Sequence, residues 1–165
     1  MKALIIQTLL FLFFAIPSSI MDIRRFRIPM GYVCLGILVL AAFRIFNLFT
    51  LPNLTGRFFW YQIIYLLVAV ITSTLVFLCT RLLSAGGLGW GDLIFGILAA
   101  IYSGFYGNLV SIAFAALSGI LFYLLLRIIQ KHSSVTNVAH PVFAVPFVPF
   151  ITFGALLEKF LALLM

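Results

Sequence analysis

What most limits the fold of this chain is a succession of helix-length apolar runs with hardly a charge inside them. Six can be marked: about residues 3–20, 31–51, 60–83, Asp92 to about Tyr106, 108–130 and 143–165. A bilayer core about 30 Å thick needs roughly 20 apolar residues per helical crossing. Lipid offers the backbone no hydrogen-bond partner, so such runs must be helical. Six crossings take up roughly 120 residues, most of a 165-residue chain. The expected fold is therefore all-α, a single polytopic membrane domain over residues 1–165 with about six transmembrane helices and short loops. The fourth run is short and follows several glycines, which predicts a tilted or partly spanning helix. Only 8% of the residues are charged, against about 25% in soluble domains. That excludes a soluble globular protein, a disordered chain and an ordinary nucleic-acid binder.

The net charge of +7 then reads as topology. Arg24, Arg25 and Arg27 follow the first run, Arg81 borders the third, and Arg127 and Lys131 flank the loop after the fifth. The opposite side has Lys2, Arg57 and Lys159. The side richer in positive charge is expected in the cytoplasm, with both termini outside, in a cell (inner or cytoplasmic) membrane. Lys2 and the small residues after the first run have the look of a signal peptide. The three arginines behind it outweigh Lys2 and predict a retained helix. Cys34 and Cys79 form no CxxC and read as small buried apolar residues. His132 and His140 flank a polar stretch, Lys131 to Asn137, and are too few for a zinc site. No metal or other cofactor is expected. Asn53-Leu54-Thr55 is a glycosylation sequon read as chance, and Ala115 and Gly119 read as a small-residue helix contact. Arg44 and Glu158 fall at similar depths, roughly 20 and 22 Å along their helices, and are expected to pair or to snorkel separately.

The chain has three acids: Asp22, Asp92 and Glu158. A carboxylate near a bilayer costs about 2.5–3.5 kcal/mol at mid-depth, so each invites a reason. Asp22 falls in the basic loop after the first run. Asp92 ends Gly86-Gly87-Leu88-Gly89-Trp90-Gly91-Asp92, ahead of the fourth. They are 70 positions apart, yet both loops open on one membrane face, so topology allows them to meet. Two carboxylates at close quarters share one proton. One activates a water while its protonated partner polarises a carbonyl, which is peptide hydrolysis without metal or covalent intermediate. Gly89 and Gly91 lack Cβ atoms, admit a close substrate backbone and permit positive φ. The structural alternative is an Asp22 paired with Arg24 or Arg25 and an Asp92 that is the N-cap of the fourth helix.

These residues also carry a resemblance. Asp22-Ile23-Arg24-Arg25-Phe26-Arg27-Ile28-Pro29 resembles the D-x-x-x-x-x-I-P-N segment of type IV prepilin peptidases. Gly89-Trp90-Gly91-Asp92 matches their G-x-G-D motif, which archaeal preflagellin peptidases share. Pro146-Phe147-Val148-Pro149-Phe150, followed by Gly154-Ala155-Leu156, is similar to the family's last helix. The resemblance implies a membrane aspartic endopeptidase. Its substrates would be prepilin-like precursors (type IV pilins, pseudopilins or archaellins), cut at the cytoplasmic face between a short basic leader and an apolar helix. By motif match, Asp22 and Asp92 would be the catalytic aspartates, with Gly89 and Gly91 in the active-site loop. Met30 stands where the family has Asn, and Ile94 where Lys is common. The tetracysteine segment of longer members is absent, so no methyltransferase activity is expected. Two other functions compete: a different GxGD intramembrane protease, whose aspartates would both lie within helices, and a small non-catalytic transporter or scaffold.

Overall fold

In a computed structural model the chain is all-helical, with residues 2–50, 56–83, 88–132 and 146–164 described. His140, Gly86, Gly87 and the Asn53-Leu54-Thr55 sequon lie outside the described residues. The elements are α1 (Lys2–Arg25), α2 (Met30–Phe49), α3 (Gly56–Leu83), α4 (Trp90–His132) and α5 (Val148–Leu164). Helices α1 to α4 are each long and apolar enough to cross a membrane, whereas α5 has 17 residues.

Where the sequence reads six runs, the described residues form five helices, because the fourth and fifth runs belong to one element. No loop separates them. At Gly104 the backbone takes φ 77° and ψ −174°, a conformation open to glycine and strained for other residues. The chain reverses there. Leu88 and Leu124 line one cavity, although 36 residues of continuous helix would hold them about 54 Å apart. Helix α4 is thus two antiparallel limbs, residues 90–103 and 105–132.

The first limb is the axis of the bundle. Phe95, Leu98, Ala99, Ala100 and Tyr102 along it have no exposed surface. Phe11 of α1 stacks on Tyr102 with ring centroids 4.2 Å apart. Gly36 of α2 lets the Phe14 ring and Leu98 approach, and Gly96 receives the Phe77 ring of α3. Helix α5 lies along the second limb, with Gly154 so close that an added Cβ would meet the Ser111 backbone at 2.9 Å. Small residues at helix contacts are what packing requires where lipid is as apolar as the side chains.

The reversal exposes helix ends that would otherwise leave buried carbonyls unsatisfied. Three side chains from three helices cover three consecutive carbonyls. Arg44 of α2 donates to Ile101 O, Gln7 of α1 to Tyr102 O, and Lys159 of α5 to Ser103 O. At the start of the second limb, Tyr106 N–H donates to the Tyr65 hydroxyl. Arg44 and Glu158 do not pair. Glu158 is 3.4 Å from Lys159 and packs on Gly107. An acid therefore faces the amino end of one limb and cations the carboxyl end of the other, as the helix dipoles favour.

The outer surface is apolar, with Phe13, Leu38, Phe46, Leu67 and Leu117 all exposed. Cys34 and Cys79 are exposed too, contrary to the expectation of burial. Helices apolar on every side carry no signal for which small apolar residue turns inward. Ala115 is buried in the core, but Gly119 lines a cavity rather than a helix contact.

Candidate active site

Asp22 and Asp92 line one cavity of about 310 Å³ at one end of the bundle, with Phe26, Arg27, Ile28, Met30, Gly89, Trp90 and Gly91. The two carboxylates are electrostatic neighbours. Topology alone had allowed this meeting, and the fold makes it by laying α1 antiparallel to the first limb of α4.

The local positions differ from the sequence reading. Asp22 is not in a loop but in the last turn of α1, and is only 5% exposed. Arg24 and Arg25 are exposed, and no ion pair joins either to Asp22 among the described residues. Instead Asp22 Oδ2 accepts a 3.1 Å hydrogen bond from the Val148 N–H, at the first residue of α5. The chain leaves α1 through Phe26, whose φ of 49° is in the left-handed region. Glycine usually occupies that place after a helix.

Asp92 is not the N-cap of α4. It is the third helical residue, and its Oδ2 accepts from the Gly89 N–H at 3.1 Å. That is the acidic half of a capping box. Each aspartate thus accepts from a backbone N–H at the start of a helix, where partial positive charge favours a carboxylate. These contacts hold the two side chains in place. They replace the structural alternative read from the sequence, since neither Arg24 nor Arg25 pairs with Asp22 among the described residues and Asp92 caps α4 from its third residue, and they give each carboxylate a structural role of its own.

Gly89 and Gly91 contribute through space rather than through φ. Among the described glycines only Gly104 has a positive value. A Cβ on Gly91 would fall 2.7–2.8 Å from Ile28, and one on Gly89 would fall 3.2 Å from Asp92 Oδ2. Ile28-Pro29 is thereby seated on the G-x-G-D turn. The three motif segments quoted from the sequence converge: Asp22 to Pro29, Gly89 to Asp92, and Phe147-Val148.

Arg81 is more than a topology charge. It lies 4.5 Å from the centroid of the Trp90 ring and donates to the Leu88 carbonyl. It thus ties α3 to the turn before Asp92. Its spacing of nine residues from Trp90 carried the hint, but only the fold supplies the contact. Among the described residues, no three His, Cys, Asp or Glu side chains converge as a metal site would need. No protein family, curated protein or solved structure matches the chain.

Proposed function

We propose that the chain is a membrane-embedded aspartic endopeptidase. It cleaves the short basic leader from prepilin-like precursors at the cytoplasmic face, with Asp22 and Asp92 as its catalytic pair. The observation that carries this reading is the shared cavity: two scarce carboxylates, 70 positions apart in sequence, face one space beside two glycines. The motif resemblance supplies the substrate class. In this reading the two limbs of α4 count as separate crossings, giving six with α5, and both termini lie outside.

The two carboxyl groups hold one proton between them. The ionised one takes a proton from water as the oxygen attacks the scissile carbonyl. The protonated one donates a hydrogen bond to the carbonyl oxygen, which becomes a hydroxyl in the tetrahedral intermediate. Collapse breaks the C–N bond, and the leaving amine takes its proton from a carboxyl group. Gly89 and Val148 N–H groups keep both side chains from turning away.

A second reading, another GxGD intramembrane protease, gains from one observation. Asp22 lies within a helix, so its placement no longer separates the two classes. Its position in the last turn, followed by Arg24, Arg25 and Arg27, favours cleavage at the interface over cleavage within the bilayer. The non-catalytic scaffold leaves the shared cavity without a purpose. The test is cleavage of prepilin-type precursors by purified protein in detergent with EDTA present. Retained cleavage in EDTA, lost in Asp22→Asn and in Asp92→Asn, is the expected result. Activity lost in EDTA and restored by a metal would overturn the mechanism, and an active single variant would remove the pair.

A further inference from the structure

Helix α1 is interrupted five residues before Asp22. Pro17 stands inside it and has no N–H to give the Phe13 carbonyl. The Tyr32 hydroxyl of α2 donates to that carbonyl at 2.6 Å instead. The turn that carries Asp22 thus lacks one hydrogen bond to the helix above it, and contacts from other helices take its place. From α5 the contact is a chain of three hydrogen bonds. Thr152 Oγ1 donates to the Val148 carbonyl at 2.9 Å. A threonine hydroxyl has one proton, so in the 3.2 Å contact between Ser19 and Thr152 the Ser19 hydroxyl is the donor. The Val148 N–H then donates to Asp22 Oδ2 at 3.1 Å. The chain leaves α1 at Ser19, passes through Thr152 and Val148 of α5, and returns to α1 at Asp22. Ser19 and Asp22 are three positions apart, and Val148 and Thr152 four, so each pair shares one face of its helix. Neither Ser19 nor Thr152 lines the cavity that the two carboxylates face.

We propose, building on the peptidase reading, that Ser19 and Thr152 are positioning residues for Asp22: they fasten the first turn of α5 to the last turns of α1, so that the Val148 N–H holds the carboxylate in one orientation beside Asp92. Without the two hydroxyls, α5 keeps its apolar packing, since Val148 and Ile151 are fully buried. What is lost is the register between Val148 and Asp22. A displacement of about 1 Å at a reacting group can cost on the order of 10²-fold in rate, whereas a neutral hydrogen bond carries a small share of a protein's stability. Because neither hydroxyl reaches the cavity, substrate binding is not their task. Their removal is expected in kcat and not in KM.

The test uses full-length protein in detergent and a prepilin-type precursor. Thr152→Val keeps the side-chain shape and removes the hydroxyl. It and Ser19→Ala should each lower kcat by about tenfold with KM unchanged. Thr152→Ser retains the hydroxyl and should recover most of the loss. The double variant Ser19→Ala/Thr152→Val should be little worse than either single one, because one chain of bonds is cut in each case. Thr74→Val is the control: it removes the same kind of bond within α3, from Thr74 Oγ1 to the Val70 carbonyl at 2.8 Å, and should leave kcat alone. A second arm follows hydrogen exchange at the Val148 amide by NMR with isotope-labelled valine. Exchange should quicken about fivefold in Thr152→Val, the share of one ordinary hydrogen bond, and return to the wild-type rate in Thr152→Ser. If wild type cleaves but kcat is unchanged in Thr152→Val and Ser19→Ala, or Thr152→Ser is as slow as Thr152→Val, the positioning proposal is wrong and the peptidase reading stands. If wild type cleaves nothing while Val148 exchange quickens in Thr152→Val and not in Thr152→Ser, the peptidase reading falls and the hold on Asp22 stands. No cleavage together with unchanged exchange overturns both.

Discussion

The two polar regions of this bundle are built in opposite senses. At the Gly104 end, side chains serve the backbone: Arg44, Gln7 and Lys159 donate to three consecutive carbonyls that the chain reversal exposes. At the aspartate end, the backbone serves the side chains, with the N–H groups of Gly89 and Val148 donating to Asp92 and Asp22. The first arrangement makes a break in a helix tolerable. The second fixes two carboxylates while leaving them beside a cavity. Polar residues are costly in either place, and the direction of the hydrogen bonds separates side chains that satisfy the backbone from side chains that the backbone holds in place.

The comparison breaks first at the aspartates. Asp22→Asn or Asp92→Asn should each reduce precursor cleavage by about 10³-fold or more, and the double variant should be little worse, as for groups that act as a unit. Thermal unfolding in detergent should barely move, because the Asn amide oxygen still accepts from Val148 or Gly89. A large drop in melting temperature would place these residues with the structural cluster. The reverse is expected at the opposite end. Gly104→Val forces a branched side chain to a φ of 77° with Tyr65 and Arg44 against it, and should cost about 1–3 kcal/mol of stability. Arg44→Leu strips the Ile101 carbonyl of its donor at a similar cost, about 1–3 kcal/mol, and Arg44→Lys should restore part of it. Cleavage per folded molecule should survive all three.

Gly91→Ala sharpens the contrast. Its Cβ displaces Ile28, so the Asp22 segment shifts against the G-x-G-D turn. A fall in kcat of about tenfold with little change in melting temperature fits the sensitivity of reacting groups to small misplacement. Phe26→Gly should have the smallest effect. It relieves the left-handed residue after α1 and should raise stability by less than about 1 kcal/mol, which chemical denaturation can read.

The helical, membrane-type architecture was legible because a scarcity of charge over helix-length runs has few other meanings. The reversal was nearly legible: the runs divide at Gly107, three residues past the break at Gly104. A single glycine among apolar residues cannot be told from a helix contact until its neighbours are known. The aspartate pair could be found because both flanking segments open on one face. What stayed hidden depends on partners distant in sequence. The Val148 N–H that fixes Asp22 comes from 126 positions away. The exposed cysteines and the cavity at Gly119 depend on which side of an evenly apolar helix turns inward, and hydropathy carries no such record.

The reversal at Gly104 also sets a length. The first limb of α4, from Trp90 to Ser103, has 14 residues and spans about 21 Å, whereas bilayer hydrocarbon is about 30 Å thick. The shortfall does not face lipid, because Phe95, Leu98, Ala99, Ala100 and Tyr102 of this limb have no exposed surface. The outer helices α1, α2 and α3, with 24, 20 and 28 residues, each span about 30 Å or more and meet the bilayer in its place. A central helix can therefore stop short of the full thickness, and its open end is hydrated, in effect, by the side chains of Arg44, Gln7 and Lys159 instead of by water.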